Sequence, residues 1–364
     1  MTMRRLAAAT AAALMALALG ACGSGDDDGD GGAAAACSGD ERFTAEEVQQ
    51  GAGPDHRVTP VYAVPKCLEE DVKLAFLNPG KNVPFFQSWS EGMRDAAKFY
   101  DVELFETDLQ LKYEDTLNQF QTVSVREPDA VGTLTTAGPA LKARTGAANI
   151  PLIPIDIPIE GNEHFHGIPN EKVGAMGGEV LAEAAAEKLA GDWQGRNLVF
   201  VQVGDNTCEP CNIRVNSALE AARETLDIPD GNVVKLLRTE GLGDKAQAAM
   251  KDALTAHPDD VMLVIGINDG TGVGALQAAK ASGRTDDVLV ATLGADEQGR
   301  DALRNDASGA MVGTVDFNPY AEGWTWVEAA IAVLEGEKFE PYDVHDIVTR
   351  DNVDELYPND KSAG

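Results

Sequence analysis

Positive charge is scarce in this chain of 364 residues: 29 Lys and Arg stand against 60 Asp and Glu, a formal charge of −31. Nucleic-acid binding needs clustered cations to neutralise phosphate, so no nucleic-acid partner is expected. The same imbalance disfavours contact with anionic membrane surfaces through the body of the protein. Cysteine is also sparse. Five residues are too few for a small disulfide scaffold. Catalytic signatures are missing: there is no G-x-S-x-G elbow. The five histidines, His56, His164, His166, His257 and His345, form no H-E-x-x-H pattern, and no 12-residue calcium loop occurs. Neither a metal, a cofactor nor an enzyme activity is therefore expected. What is present is an apolar fraction of 44%, ordinary for a globular protein.

The chain opens on a short cationic start, Arg4-Arg5, followed by a small and apolar run to Gly20. That run is short for a membrane span and suits a signal-peptide core. It ends in Leu19-Gly20-Ala21-Cys22, which resembles the lipobox of bacterial lipoproteins. The resemblance implies removal of residues 1–21, lipidation of the Cys22 thiol and a lipid-anchored, extracytoplasmic protein. Residues 22–40 are rich in Gly, Asp, Ser and Ala and read as a flexible tether. No later run of 18 apolar residues exists. An oxidising compartment lets the other cysteines pair. Cys208 and Cys211 form a C-x-x-C expected to clip one loop, with a redox role as the alternative; Cys37 and Cys67 are left to close the N-terminal extension.

Residues 41–71 are polar and weakly periodic and are expected to be irregular. From residue 72 short apolar runs alternate with amphipathic segments, the signature of parallel strands covered by helices. Strands are expected at 72–77, 102–105, 130–134, 152–155, 198–203, 233–237, 261–265, 288–292 and 311–315. Nine units suit two sheets better than one. The fold class is therefore α/β, with two Rossmann-like lobes. The first takes 72–169 plus 318–343, the second 170–317 plus 344–364.

Ligands of open α/β sheets bind beyond the carboxyl ends of the strands. Those positions carry Asn82, Phe85 and Phe86 after the first strand, Thr135 after the third and Asp156 after the fourth. Asn212 and Arg214 follow the fifth, Asn268 the seventh, Asp296 the eighth and Phe317 the ninth. Amides and carboxylates pair with vicinal hydroxyls, and aromatic faces cover the C–H side of a sugar ring. Asn and Asp also cap helices, so the reading rests on the set.

Three motifs are similar to those of type I periplasmic binding proteins, the ribose/galactose-binding branch. They are KLAFLNPGKNVPFF at 73–86, ANIPLIPID at 148–156, and HPD at 257–259 followed by ND at 268–269 and GAL at 274–276. The resemblance implies two lobes joined by three hinge segments, near Pro169-Asn170, Phe317-Asn318 and Asp343-Val344. It implies Phe85 and Phe86 against a sugar ring, Asp156 accepting hydroxyls, and Asn268 facing them from the second lobe. It further implies a monomeric solute receptor feeding an ABC permease and its ATPase. The family's pocket is remodelled here. Val83 and Ile157 stand where it carries Asn and Arg, and Gly294 and Phe317 where it carries Asp and Gln. Asn212 or Arg214 must serve for its arginine-rich turn. These departures suit an acyclic or less oxygen-rich polyol (a tetritol or pentitol) as well as a pentose or hexose. A nucleoside or signal-molecule receptor of the same fold is the alternative. Gly270-Thr271-Gly272-Val273-Gly274-Ala275 also matches G-x-G-x-x-A, which keeps an exported NAD-dependent oxidoreductase as a further one.

Overall fold

The structure, a computed structural model, describes residues 41–359 except 69 and 344. The leader, the tether with Cys22, and Cys37 lie outside the described residues.

Two sheets organise the body. The first has the order β2-β1-β3-β4, all parallel: β1 Lys73–Asn78, β2 Glu103–Asp108, β3 Ala130–Thr133 and β4 Leu152–Pro154. The second has the order β10-β9-β8-β7-β5-β6. Its strands are β5 Leu198–Val203, β6 Val233–Leu236, β7 Val261–Gly266, β8 Val288–Gly294, β9 Met311–Asp316 and β10 Asp346–Val348. Only β10 runs antiparallel. Each order reverses between two central strands, β1/β3 and β5/β7, which opens a crevice at the carboxyl ends. Central strands such as β5 and β7 are buried along their whole length, which is why they read as apolar runs, broken in β5 by Gln202 alone.

Each sheet is coated on both faces. Leu74 and Phe76 point to one core with Trp89, Trp324 and Trp326, while Ala75 and Leu77 point to another with Phe120 and Leu141. Each such large side chain contributes about 1.5–3 kcal/mol on burial. Two helix seams position the site. Helix α2, Pro84–Phe99, starts with Pro at a position where a missing N–H costs nothing. It lies against α10, Pro319–Glu335, so closely that a methyl on Gly92 would strike the Tyr320 carbonyl and one on Gly323 the Trp89 carbonyl. Likewise α5, Asn170–Ala190, meets α6, Glu209–Arg223, through Gly174 and Gly178.

Two expectations need correction. Residues 41–71 are not irregular throughout: Ala45–Ala52 forms α1, closed by a capping box between Thr44 and Glu47. Its Val48 and Ala52 join the core beneath α2. The chain also makes a tenth strand, β10, a three-residue edge too short to announce itself.

Candidate functional site

The chain crosses between the layers of the two sheets after β4, after β9 and after α10. Asp156 sits at the end of β4, before His166 pairs beside that strand and the chain makes the first crossing, and Asn318 sits at the second; both have left-handed backbone (φ 58° and 45°) that few residues other than Gly, Asn or Asp adopt. At Asp156 this turn takes the carboxyl group off the strand line and buries it. It accepts the Ile168 N–H at 3.4 Å.

Opposite stands Arg214 in α6. Its Nε donates to Asn170 Oδ1 at 2.5 Å, and its guanidinium carbon lies 4.8 Å from the centre of the Phe317 ring. The guanidinium is the positive charge that acts on Asp156. Burial raises the Asp156 pKa, and Arg214 opposes that rise. Burial lowers that of Arg214, with Asp156 and Glu322 pulling it back up.

Phe85 joins the two halves. It packs against the core around β1 and against the core around β5 and β7, with its ring 6.3 Å from Phe317 and 5.2 Å from Trp89. Phe86 stands beside it, 5.9 Å away. On the α6 side, Asn212 Oδ1 is buried and meets no donor among the described residues. A buried acceptor without a partner costs about 1–3 kcal/mol, so this atom is suited to a ligand hydroxyl. Phe85, Phe86, Asp156, Arg214 and Phe317 thus belong to one connected set, and Asn212 lies two residues from Arg214 on the same helix.

The remaining sequence candidates have local partners or lie exposed. Asn82 is exposed on the loop before α2. Thr135 is buried, its hydroxyl taken up by Thr116 at 2.8 Å and by the Ala137 N–H at 3.0 Å. Asn268 caps α8, Asp269–Ala281, and donates to Gly241 O at 3.0 Å. Asp296 caps α9, Glu297–Asn305, accepting the N–H groups of Gln298 and Gly299. Cys208 and Cys211 are disulfide-bonded at the first turn of α6. Cys67 also takes part in a disulfide. His164 and His166 face different neighbours, Phe339 for the first, Glu322 O and Thr325 for the second. Within the G-x-G-x-x-A segment two glycines serve packing: a methyl on Gly272 would strike the Thr292 side chain, and one on Gly274 the Gly243 carbonyl.

One residue of the site escaped the sequence. Glu322 in α10 is fully buried and accepts the Trp89 indole N–H at 2.7 Å on Oε2, while its Oε1 meets no partner among the described residues; burial and the Asp156 charge raise its pKa well above the ordinary range. Its signal was a lone acid within an otherwise apolar stretch at 319–327.

A family model described as a periplasmic binding protein domain matches residues 74–338. Among curated proteins, the ribose import binding protein RbsB of Escherichia coli is 29% identical over 267 residues, covering 71% of this chain and 83% of its own. A xylitol-binding protein of Mycolicibacterium smegmatis is 26% identical over 277 residues, covering 74% and 75%. Among solved structures, an ABC transporter solute binding protein from Mycobacterium smegmatis with bound glycerol superposes with a TM-score of 0.67 at 22% identity, covering 79% and 97%. At that identity the match speaks for the fold. Matched over more than half its length, with two α/β lobes in parallel sheets, the chain belongs to the periplasmic binding proteins, in their type I form.

Proposed function

We propose that this protein is the lipid-anchored, extracytoplasmic receptor of an ABC importer and captures a small neutral sugar or polyol between its lobes. The observation that carries the reading is Phe85, which packs against the cores of both lobes and reaches the Arg214 guanidinium through the Phe317 ring. Aromatic rings cover the C–H face of such a ligand, while Asp156 accepts its hydroxyls and Arg214 and Asn212 meet it from the other side. Ligand stabilises the closed form because only that form touches it from both lobes. No bond is made or broken, so no acid–base pair is required. The ligands for which two relatives are named, ribose and xylitol, agree with this class. Lipidation at Cys22, a monomeric state, and delivery to a permease with its ATPase complete the proposal.

A thermal-shift screen of the full chain tests it, with pentoses, hexoses, tetritols, pentitols, nucleosides and NADH. A raised melting temperature with a sugar or polyol is expected by mass action. Stabilisation by a nucleoside alone, or by NADH alone, overturns the ligand class. Globomycin treatment of producing cells should accumulate the unprocessed precursor; unaltered processing overturns the lipid anchor.

A further inference from the structure

One face of α5 holds Arg214 by its backbone and by its head group. Asn170 and Gly174 stand one turn apart on that helix, and residues so spaced share a face. Gly174 governs the backbone: a methyl there would strike the Arg214 carbonyl, so glycine is what lets α6 come this close. Asn170, itself buried, governs the head group. Its Oδ1 accepts the Arg214 Nε–H at 2.5 Å, a charge-assisted hydrogen bond. Nε–H can only donate, so the amide must turn its oxygen toward it. The Phe317 ring lies 4.8 Å from the guanidinium carbon. Backbone, ring contact and one nitrogen of Arg214 are thereby committed. Nη1 and Nη2 are left over and meet no acceptor among the described residues.

An asparagine at a helix start ordinarily caps it. Asn170 does not. It is the first residue of α5, its cap position is Pro169, and the cap makes no side-chain hydrogen bond. The amide oxygen is spent instead on a residue 44 positions along the chain. Helix formation does not call for that bond. A long arginine side chain, however, loses rotamer freedom when a solute has to order it, and prior ordering removes that cost from binding.

We propose that Asn170 is a positioning residue of the sugar or polyol site: it grips Arg214 at Nε and presents the Nη1 and Nη2 edge to solute oxygens. Asn170 acts through Arg214 and does not itself contact the solute.

This inference rests on the functional reading above, and the experiment separates the two. Nuclear magnetic resonance of the ligand-free full chain follows the Arg214 Nε–H, identified by its absence in Arg214→Lys. In wild type and in Asn170→Asp, which keeps the oxygen, this hydrogen should exchange slowly with water. In Asn170→Ala and Asn170→Ser, both too short to reach, it should exchange faster by about tenfold or more. Calorimetry with xylitol and D-ribose gives the second readout. The short variants should bind about three- to tenfold more weakly than wild type, and Asn170→Asp within about twofold. Should Asn170→Ala not fold, Asn170→Ser carries the test, because serine suits a helix start. Weaker binding without faster exchange shows a merely structural role and overturns the proposal. Faster exchange without weaker binding, neither change, or an Asn170→Asp that behaves like the short variants also overturns it. If neither probe binds wild type, the functional reading falls and takes the role in binding with it, while the exchange contrast still decides whether Asn170 grips Arg214.

Discussion

Arg57 grips Asp316 with one arm of its guanidinium at 2.5 Å and Asp346 with the other at 2.6 Å. Its neighbour Val58 is buried in the core of the first sheet, while Asp316 and Asp346 belong to the paired strands β9 and β10 of the second. The N-terminal extension is thereby tied to both layers. Asp316 is buried and also accepts Tyr357 OH at 2.6 Å, whereas Asp346 is half exposed. The two arms should differ in worth. Arg57→Ala is expected to cost about 2 kcal/mol by leaving a buried carboxylate short of its cation. Asp346→Ala should cost under about 1 kcal/mol. Urea unfolding measures both; equal costs would contradict the asymmetry.

Asp156→Ala should abolish stabilisation by the ligand while sparing the apo protein. Wild type gains about 2.7 kcal/mol at a hundredfold excess of ligand over Kd. Loss of the Asp156 charge eases ionisation of Glu322, whose charge also acts on Arg214, so apo stability should change by about 1 kcal/mol or less. Thermal unfolding with and without ligand checks this. A variant whose melting temperature still rises as in wild type removes Asp156 from the site.

The C-x-x-C bond closes a very short loop, and the helix that carries Asn212 and Arg214 is held independently. Asn170 fixes Arg214, and the Gly174–Gly178 seam fixes the backbone of α6. Cys208→Ser/Cys211→Ser should therefore lower stability by about 2 kcal/mol or less and leave Kd within about threefold. Calorimetry on the double variant decides. Turnover of a dithiol substrate by wild type would instead favour a redox role.

Asp269 stitches α8 to two strands. It accepts hydroxyls of Thr292 at 2.5 Å and Thr314 at 2.8 Å, and the Asp296 N–H at 2.7 Å. Burial, with the Asp296 charge, pushes it up to about 7. Because the folded value lies above the unfolded one, its contribution is complete below the unfolded pKa and is lost as pH rises through about 7. Asp269→Asn does not titrate. The stability of wild type relative to this variant should shrink by on the order of 2 kcal/mol between about pH 5 and pH 8. A pH-independent difference would show that Asp269 is ionised throughout.

Most strands were legible because they are apolar on both faces, and the aromatic pair at Phe85 because it follows the loop after β1. Helix α1 was not, since only Val48 and Ala52 of its eight residues are buried and its length is below that at which periodicity speaks. Thr135 has the right residue type at the right strand end, yet Thr116, distant in sequence, claims its hydroxyl. Glu322 and Arg57 draw their meaning from partners far along the chain, Trp89 and Asp316, and no local pattern encodes such pairing.

Because α2 and α10 touch backbone to backbone, neither can slide on the other, and a swing of the lobes must be taken up in the short crossings. Asp156 holds the Ile168 N–H inside the first of them, and it is also the residue we assign to the solute. Recognition and mechanics are then fused in a single amino acid: a lineage that exchanges it to court a new nutrient also re-tensions the joint, and must compensate elsewhere to keep the door swinging.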